Sequence, residues 1–156
     1  MWFLILTAIV FNTVFLFMPK KLTAIEIFST CMFAIVLQDN VDIYLDLKLD
    51  WYGYFTKGTQ WQTLIAIFGI YPAVNAIFLN YYQCTRNVAQ KFWYIISCSA
   101  FAVFYEWLAV KSGYFYHNQW KLWYSAIVYP FLFLLLLVVL KLVRKLIHRQ
   151  YNRISR

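Results

Sequence analysis

The sequence predicts an all-α integral membrane protein with about five transmembrane helices, the last four paired into two similar helical hairpins. Three observations predict it. First, 63% of the 156 residues are hydrophobic and only 13% are charged, against about 25% charged in an ordinary soluble domain. A soluble fold of this length has no interior large enough to hide so much apolar surface. Second, apolar runs of bilayer-crossing length recur along the chain. Third, basic and acidic residues gather at alternate connections between those runs. Aromatics make up 22% of the residues, and Tyr and Trp suit an aromatic belt because each ring joins an apolar body to a polar tip.

The whole chain reads as a single membrane domain, 1–156. Its first run covers residues 2–18. No basic residue precedes Lys20 and no small-residue cleavage site follows, so the run reads as a retained helix rather than a cleaved signal peptide. Pro19 and the Lys20-Lys21 pair end it. The second run covers 22–38 and carries Glu26 near its start, where Lys20 or Lys21 is the expected partner. The third covers 61–82, the fourth 92–110 and the fifth 122–140. Residues 141–156 form a basic tail in which Val143, Ile147, Tyr151 and Ile154 are expected on the membrane surface. His148 belongs to the same tail. Cys31, Cys84 and Cys98 have no metal or redox spacing and read as small hydrophobes.

Charge placement predicts orientation. Lys20, Lys21, Arg86, Lys91 and the tail residues Lys141, Arg144, Lys145, Arg149, Arg153 and Arg156 fall on one side of the predicted spans. Basic residues stay with the cytoplasm. The N-terminus is then outside and the C-terminus inside, in a bacterial cytoplasmic membrane. The stretch 39–60, with four Asp, falls outside, as does 111–121, whose Lys111 and Lys121 run against the rule. The net charge of +8, gathered beside an apolar span, points to anionic lipid headgroups and away from nucleic acid.

The outer stretches share a pattern that predicts an internal repeat. One reads Asp46, then Gly53-Tyr54-Phe55, Trp61 and Tyr71-Pro72; the other reads Glu106, then Gly113-Tyr114-Phe115, Trp120 and Tyr129-Pro130. A second register pairs Glu106 with Asp39. Either way the hairpins are parallel repeats about an axis along the membrane normal. Each Gly is expected at a tight turn and each Trp at the outer interface. Each Pro then lies about 15 Å below its Trp and kinks its helix, freeing the carbonyl of Phe68 or Ala126. The kinks are either packing devices or the walls of an outward vestibule.

Five carboxylates lie on or close to these spans' outer ends. On a continued helix Asp39, Asp42, Asp46 and Asp50 form a stripe within about 80°. The stripe is a wet helix end, a cation site on Asp39, Asp42 and Asp46, or an acid-base site. Glu106, within Tyr105-Glu106-Trp107-Leu108, is the sharpest candidate, because a carboxylate inside a membrane span is costly and functional by default. His117, in the outer turn, is either a proton relay or simply a polar turn residue. Asn75 and Asn80 read as interhelical hydrogen-bonding groups, and Asn75 is also a candidate pathway residue.

The spacing of QDNVDIYLD, 38–46, resembles the Asp-rich motif of UbiA-type membrane prenyltransferases, which implies Mg²⁺-diphosphate binding. It covers nine residues, with no second Asp-rich motif and too few spans. Nearly the full chain resembles a family of small, uncharacterised membrane proteins of spore-forming Bacillus- and Clostridium-like bacteria. That likeness rests on Pro19-Lys20-Lys21-Leu22, Glu26, DIYLDLK at 42–48, YGYF at 52–55, YPAVN at 71–75, YEWL at 105–108, and GYFY through Tyr129-Pro130 at 113–130. It implies a multi-pass helical protein and brings no activity with it. Paired hairpins carrying an acid, a Trp and a Pro also resemble membrane lycopene cyclase domains, whose acid-rich motif has no clean match here.

Three function classes follow. The leading one is a non-catalytic subunit or structural partner in a bacterial membrane complex, working with a protein partner or as a homo-oligomer within the lipid bilayer. The second is a small-solute or ion/proton pathway lined by Glu106, Asp46, Asp42, Asp39, His117 and Asn75. The third is a membrane enzyme acting on an isoprenoid or lipid, with Glu106 or Asp42 as general acid. No motif names a cofactor.

Overall fold

The computed structural model describes residues 2–54, 63–113 and 115–154. Phe55, Trp61, Tyr114 and Arg156, all invoked above, lie outside the described residues. Five helices carry the architecture: α1 (Trp2–Phe17), α2 (Ala24–Asp42), α3 (Tyr71–Tyr82), α4 (Val88–Lys111) and α5 (Leu122–Ile154). Six-residue π-helical turns extend α2 as Ile43–Lys48 and precede α3 as Ile65–Ile70. Four helical stretches, Ala24–Lys48, Ile65–Tyr82, Val88–Lys111 and Leu122–Arg153, are long and apolar enough to cross a membrane. The fifth, α1, is apolar but has 16 residues, about 24 Å of helix.

Local chemistry sets the ends. Thr23 Oγ1 accepts from Glu26 N at 3.3 Å and Glu26 Oε2 accepts from Thr23 N at 2.8 Å, a reciprocal cap that starts α2. Asn87 starts α4 by accepting from Gln90 N at 2.8 Å. Pro72 stands at the start of α3, directly after the widened turn. A proline in a regular helix collides with the carbonyl one turn back, and the π-helical turn provides the room. Pro130 lies inside α5. At the far end of the α2 extension Asp50 has φ +54, a left-handed conformation that Asp tolerates better than most residues. The helix closes there with Trp51 N donating to Leu45 O at 2.8 Å.

α2 packs on α3 and α4 on α5, giving two helical hairpins, with α2 also against α5 and α1 against α3 and its leading π-turn. Leu79, Phe78, Leu140 and Phe133 lie at the heart of the four-helix contact. Large apolar side chains such as Phe28, Phe68, Trp93 and Phe131 point outward from every hairpin helix, as lipid-facing residues do.

The two ends differ. At one, strands β1 (Tyr52–Tyr54) and β2 (Phe115–His117) form an antiparallel ribbon that joins the hairpin turns, pairing Tyr52 with His117, Gly53 with Tyr116 and Tyr54 with Phe115. The expectation of a turn holds at Gly113, which has φ +71. It fails at Gly53, which sits within β1 beneath the Tyr116 ring; a Cβ there would lie 2.5 Å from the phenol oxygen. At the other end Asn80 donates to Pro19 O at 2.9 Å and accepts from Lys21 N at 2.7 Å. Glu26 pairs there with Arg144, Nε to Oε1 at 2.6 Å, rather than with Lys20 or Lys21. Lys20 instead donates to the carbonyl of Phe15 and lies over its ring. The expected separate tail is a continuation of α5, a single helix of 33 residues.

Candidate functional site

Two buried carboxylates flank the ribbon. Asp42 occupies the last position of α2. Its Oδ1 accepts from Tyr52 Oη at 2.7 Å and from Gln38 Nε2 at 2.9 Å. Its Oδ2 accepts from Tyr54 Oη at 3.3 Å, and Tyr54 Oη lies 2.8 Å from Tyr71 Oη. Gln38 stands one turn before Asp42 on the same helix face. Tyr52 and Tyr54 are two apart in β1, so both face one side of the ribbon. Burial first, and the Asp42 charge second, push the Tyr52 phenol well above the ordinary tyrosine range. It therefore remains a protonated donor to the carboxylate.

Glu106 lies near the end of α4, 6% exposed. Ser125 Oγ donates to its Oε1 at 2.8 Å, and Tyr129 Oη donates to its Oε2 at 2.6 Å. Both donors stand on one face of α5, four residues apart. Trp120 Nε1 donates in turn to Ser125 Oγ at 2.7 Å. From β2, His117 Nε2 approaches Oε1 to 2.8 Å. That nitrogen has no aligned hydrogen bond, so the imidazole stands against the carboxylate without donating to it. A buried carboxylate is tolerated where donors replace its water, and here a hydroxyl and a phenol do so.

The ribbon brings the two pockets into contact. Phe115 packs against Tyr52 and Tyr54 at 5.2 Å on one side and against His117 at 5.3 Å on the other. Trp120 packs on Tyr52 at 5.7 Å and Trp51 at 6.1 Å. The Trp51 carbonyl accepts from the backbone N–H groups of Asn118, Gln119 and Trp120 at 2.9 to 3.0 Å.

The sequence-derived candidates divide accordingly. Glu106 and His117 meet. Asp42 joins them across the ribbon, in the seat opposite Glu106 that the sequence registers give to Asp46 or Asp39. Those two are half-buried on the α2 helix and its π-helical extension. Asp39, Asp42 and Asp46 do not converge as metal ligands: among the described residues no group of three or more His, Cys, Asp or Glu is arranged to hold an ion. Asn75 is half-buried on α3, outside both pockets; its neighbour in the pattern, Asn80, is the one that ties helices together.

Sequence reasoning missed Tyr52, Tyr54, Tyr71, Tyr129, Ser125 and Gln38 as ligands of the carboxylates. The recurring Tyr-Pro pair was the available signal, since Tyr71 and Tyr129 stand just before Pro72 and Pro130 and each reaches its hairpin's own acid network. Comparison of the chain with protein-family models, with curated proteins and with solved structures finds no match.

Proposed function

We propose that this is a small multi-pass protein of a bacterial cytoplasmic membrane, with its N-terminus outside and C-terminus inside, whose outer end carries a proton-exchange site built on Glu106, with Asp42 as its counterpart. α1 makes the fifth crossing. The two hairpins are read as duplicates, with Asp42, the β1 tyrosines and Tyr71-Pro72 answering to Glu106, His117 and Tyr129-Pro130. Orientation draws support from the gathering of Lys21, Arg144 and Gln83 at the end opposite the ribbon.

One observation carries the reading: a carboxylate buried in a membrane helix stands 2.8 Å from an imidazole nitrogen and 2.6 Å from a phenol. An ionisable carboxylate inside a membrane helix is a functional candidate by default, and an imidazole beside it is a neighbour that can itself take up a proton. Reconstituted in proteoliposomes, the protein should carry a pH-dependent proton flux that Glu106→Gln abolishes while expression persists. No flux in the wild type, or unchanged flux in the variant, removes the reading. Orientation is tested on the native thiol Cys84, which is free and exposed. An impermeant reagent should label it only after the membrane is opened.

A second reading is a non-catalytic subunit or structural partner of a membrane complex. The long α5 supports it, because past Leu140 it exposes Lys141, Lys145, His148 and Arg149 together with Leu142, Leu146 and Tyr151. Native mass spectrometry after gentle extraction should then show a second polypeptide at fixed ratio, and its absence removes this reading. A bound isoprenoid or lipid in the same spectrum would instead make Glu106 or Asp42 the general acid of an enzyme.

A further inference from the structure

The two oxygens of Glu106 do not have equivalent partners. Oε1 meets Ser125 and His117; Oε2 meets the phenol of Tyr129. The indole N–H of Trp120 can only donate. By filling one lone pair on Ser125 Oγ, it turns the single hydroxyl hydrogen of that residue toward Oε1. We propose that Trp120 and Ser125 are positioning residues that hold Oε1 as the accepting oxygen and so make Oε2, against Tyr129, the oxygen that takes up and releases the proton. The proposal rests on the proton-exchange reading of Glu106.

The bookkeeping is simple. When Glu106 is ionised, Tyr129 donates to Oε2. When a proton arrives on Oε2, the bond reverses, and the phenol accepts it while turning its own hydrogen elsewhere. The Asp42 pocket is uneven too: its Oδ1 takes two donors, Tyr52 and Gln38, while its Oδ2 takes the Tyr54 phenol at a longer 3.3 Å. The titratable groups facing Glu106 are His117 from β2 and Tyr129 from α5; beyond Trp120 and Phe115 come Tyr52 from β1 and then Asp42 from α2.

The test is infrared spectroscopy of the full chain in liposomes, in H₂O and D₂O, following the C=O stretch of a protonated carboxyl group. The band belongs to Glu106 if Glu106→Gln removes it. With Oε2 protonated, the carbonyl is Oε1, hydrogen-bonded by Ser125, and the band is a single one at low frequency. Trp120→Phe keeps a ring in place but loses the donor, and the band should move to higher frequency and broaden as Oε1 competes for the proton. Ser125→Ala should move it further, and Ser125→Thr should restore it. A band unmoved in both Trp120→Phe and Ser125→Ala, with helical content intact, overturns the positioning role and leaves the exchange reading standing. A wild type without any band sensitive to Glu106→Gln overturns both.

Discussion

Asp42 and Glu106 lie against the same short ribbon, and the contrast between their surroundings is instructive. Asp42 is held only by neutral groups, two phenols and an amide. Glu106 has a phenol and a hydroxyl in comparable places but also an imidazole at 2.8 Å. The frame is alike and the chemistry is not. A neutral cage stabilises a carboxylate where it stands, whereas the imidazole gives Glu106 a neighbour that can itself carry charge. The Asp42 pocket therefore reads as the fixed side of the pair and the Glu106 pocket as the working side.

The contrast breaks most visibly in function. Glu106→Gln should abolish proton flux, and Asp42→Asn should leave a measurable part of it; equal loss in both would erase the distinction. Stability should not follow the same split. Glu106→Ala and Asp42→Ala each strand several buried donors, at about 2–4 kcal/mol apiece, which thermal unfolding in mild detergent would measure. A cost confined to one pocket would show that the other carboxylate is not structural.

The neutral cage makes its own prediction at high pH. Burial and the Asp42 charge raise the Tyr52 phenol above its ordinary value. The unfolded chain loses that proton near the usual value of about 10 while the folded chain keeps it. The Tyr52 contribution is thus fully present below about pH 10 and declines as pH rises beyond it. Tyr52→Phe should flatten this alkaline decline, read from melting temperatures across a pH series, and an unchanged slope would remove Tyr52 as its source. The smallest effects concern the ribbon. Gly113→Ala places a side chain at φ +71 and should cost about 1 kcal/mol. Gly53→Ala should cost a similar or smaller amount, because the Tyr116 phenol that meets the new Cβ stands at the free end of its side chain.

Much of this fold was legible because lipid imposes length and hydropathy on every span. The five helices, the basic end and the candidacy of Glu106 all follow from residues visible in the chain. The ribbon was not legible, since strands of three residues give no alternation to read. The sequence registers set Asp46 or Asp39 against Glu106, whereas the ribbon's tyrosines reach Asp42, itself a candidate from the sequence. The phenols were hidden for another reason. With 13 tyrosines in the chain, each one reads as interface belt until geometry singles out those that reach an acid. Glu26 was misassigned because its partner Arg144 lies 118 positions away, and sequence proximity favoured the adjacent lysines.

α5 is one helix by hydrogen bonding but two rods by mechanics. Pro130 cannot donate to the carbonyl of Ala126, so the weakest turn of the helix lies between the two residues that grip Glu106. Above that turn, residues 122–125 are a stub of about one turn. Below it a much longer shaft is moored to Glu26 and Gln83 through Arg144. A flexing of the turn would shift Ser125 against Tyr129, so the two oxygens of one carboxylate are held from opposite sides of a hinge.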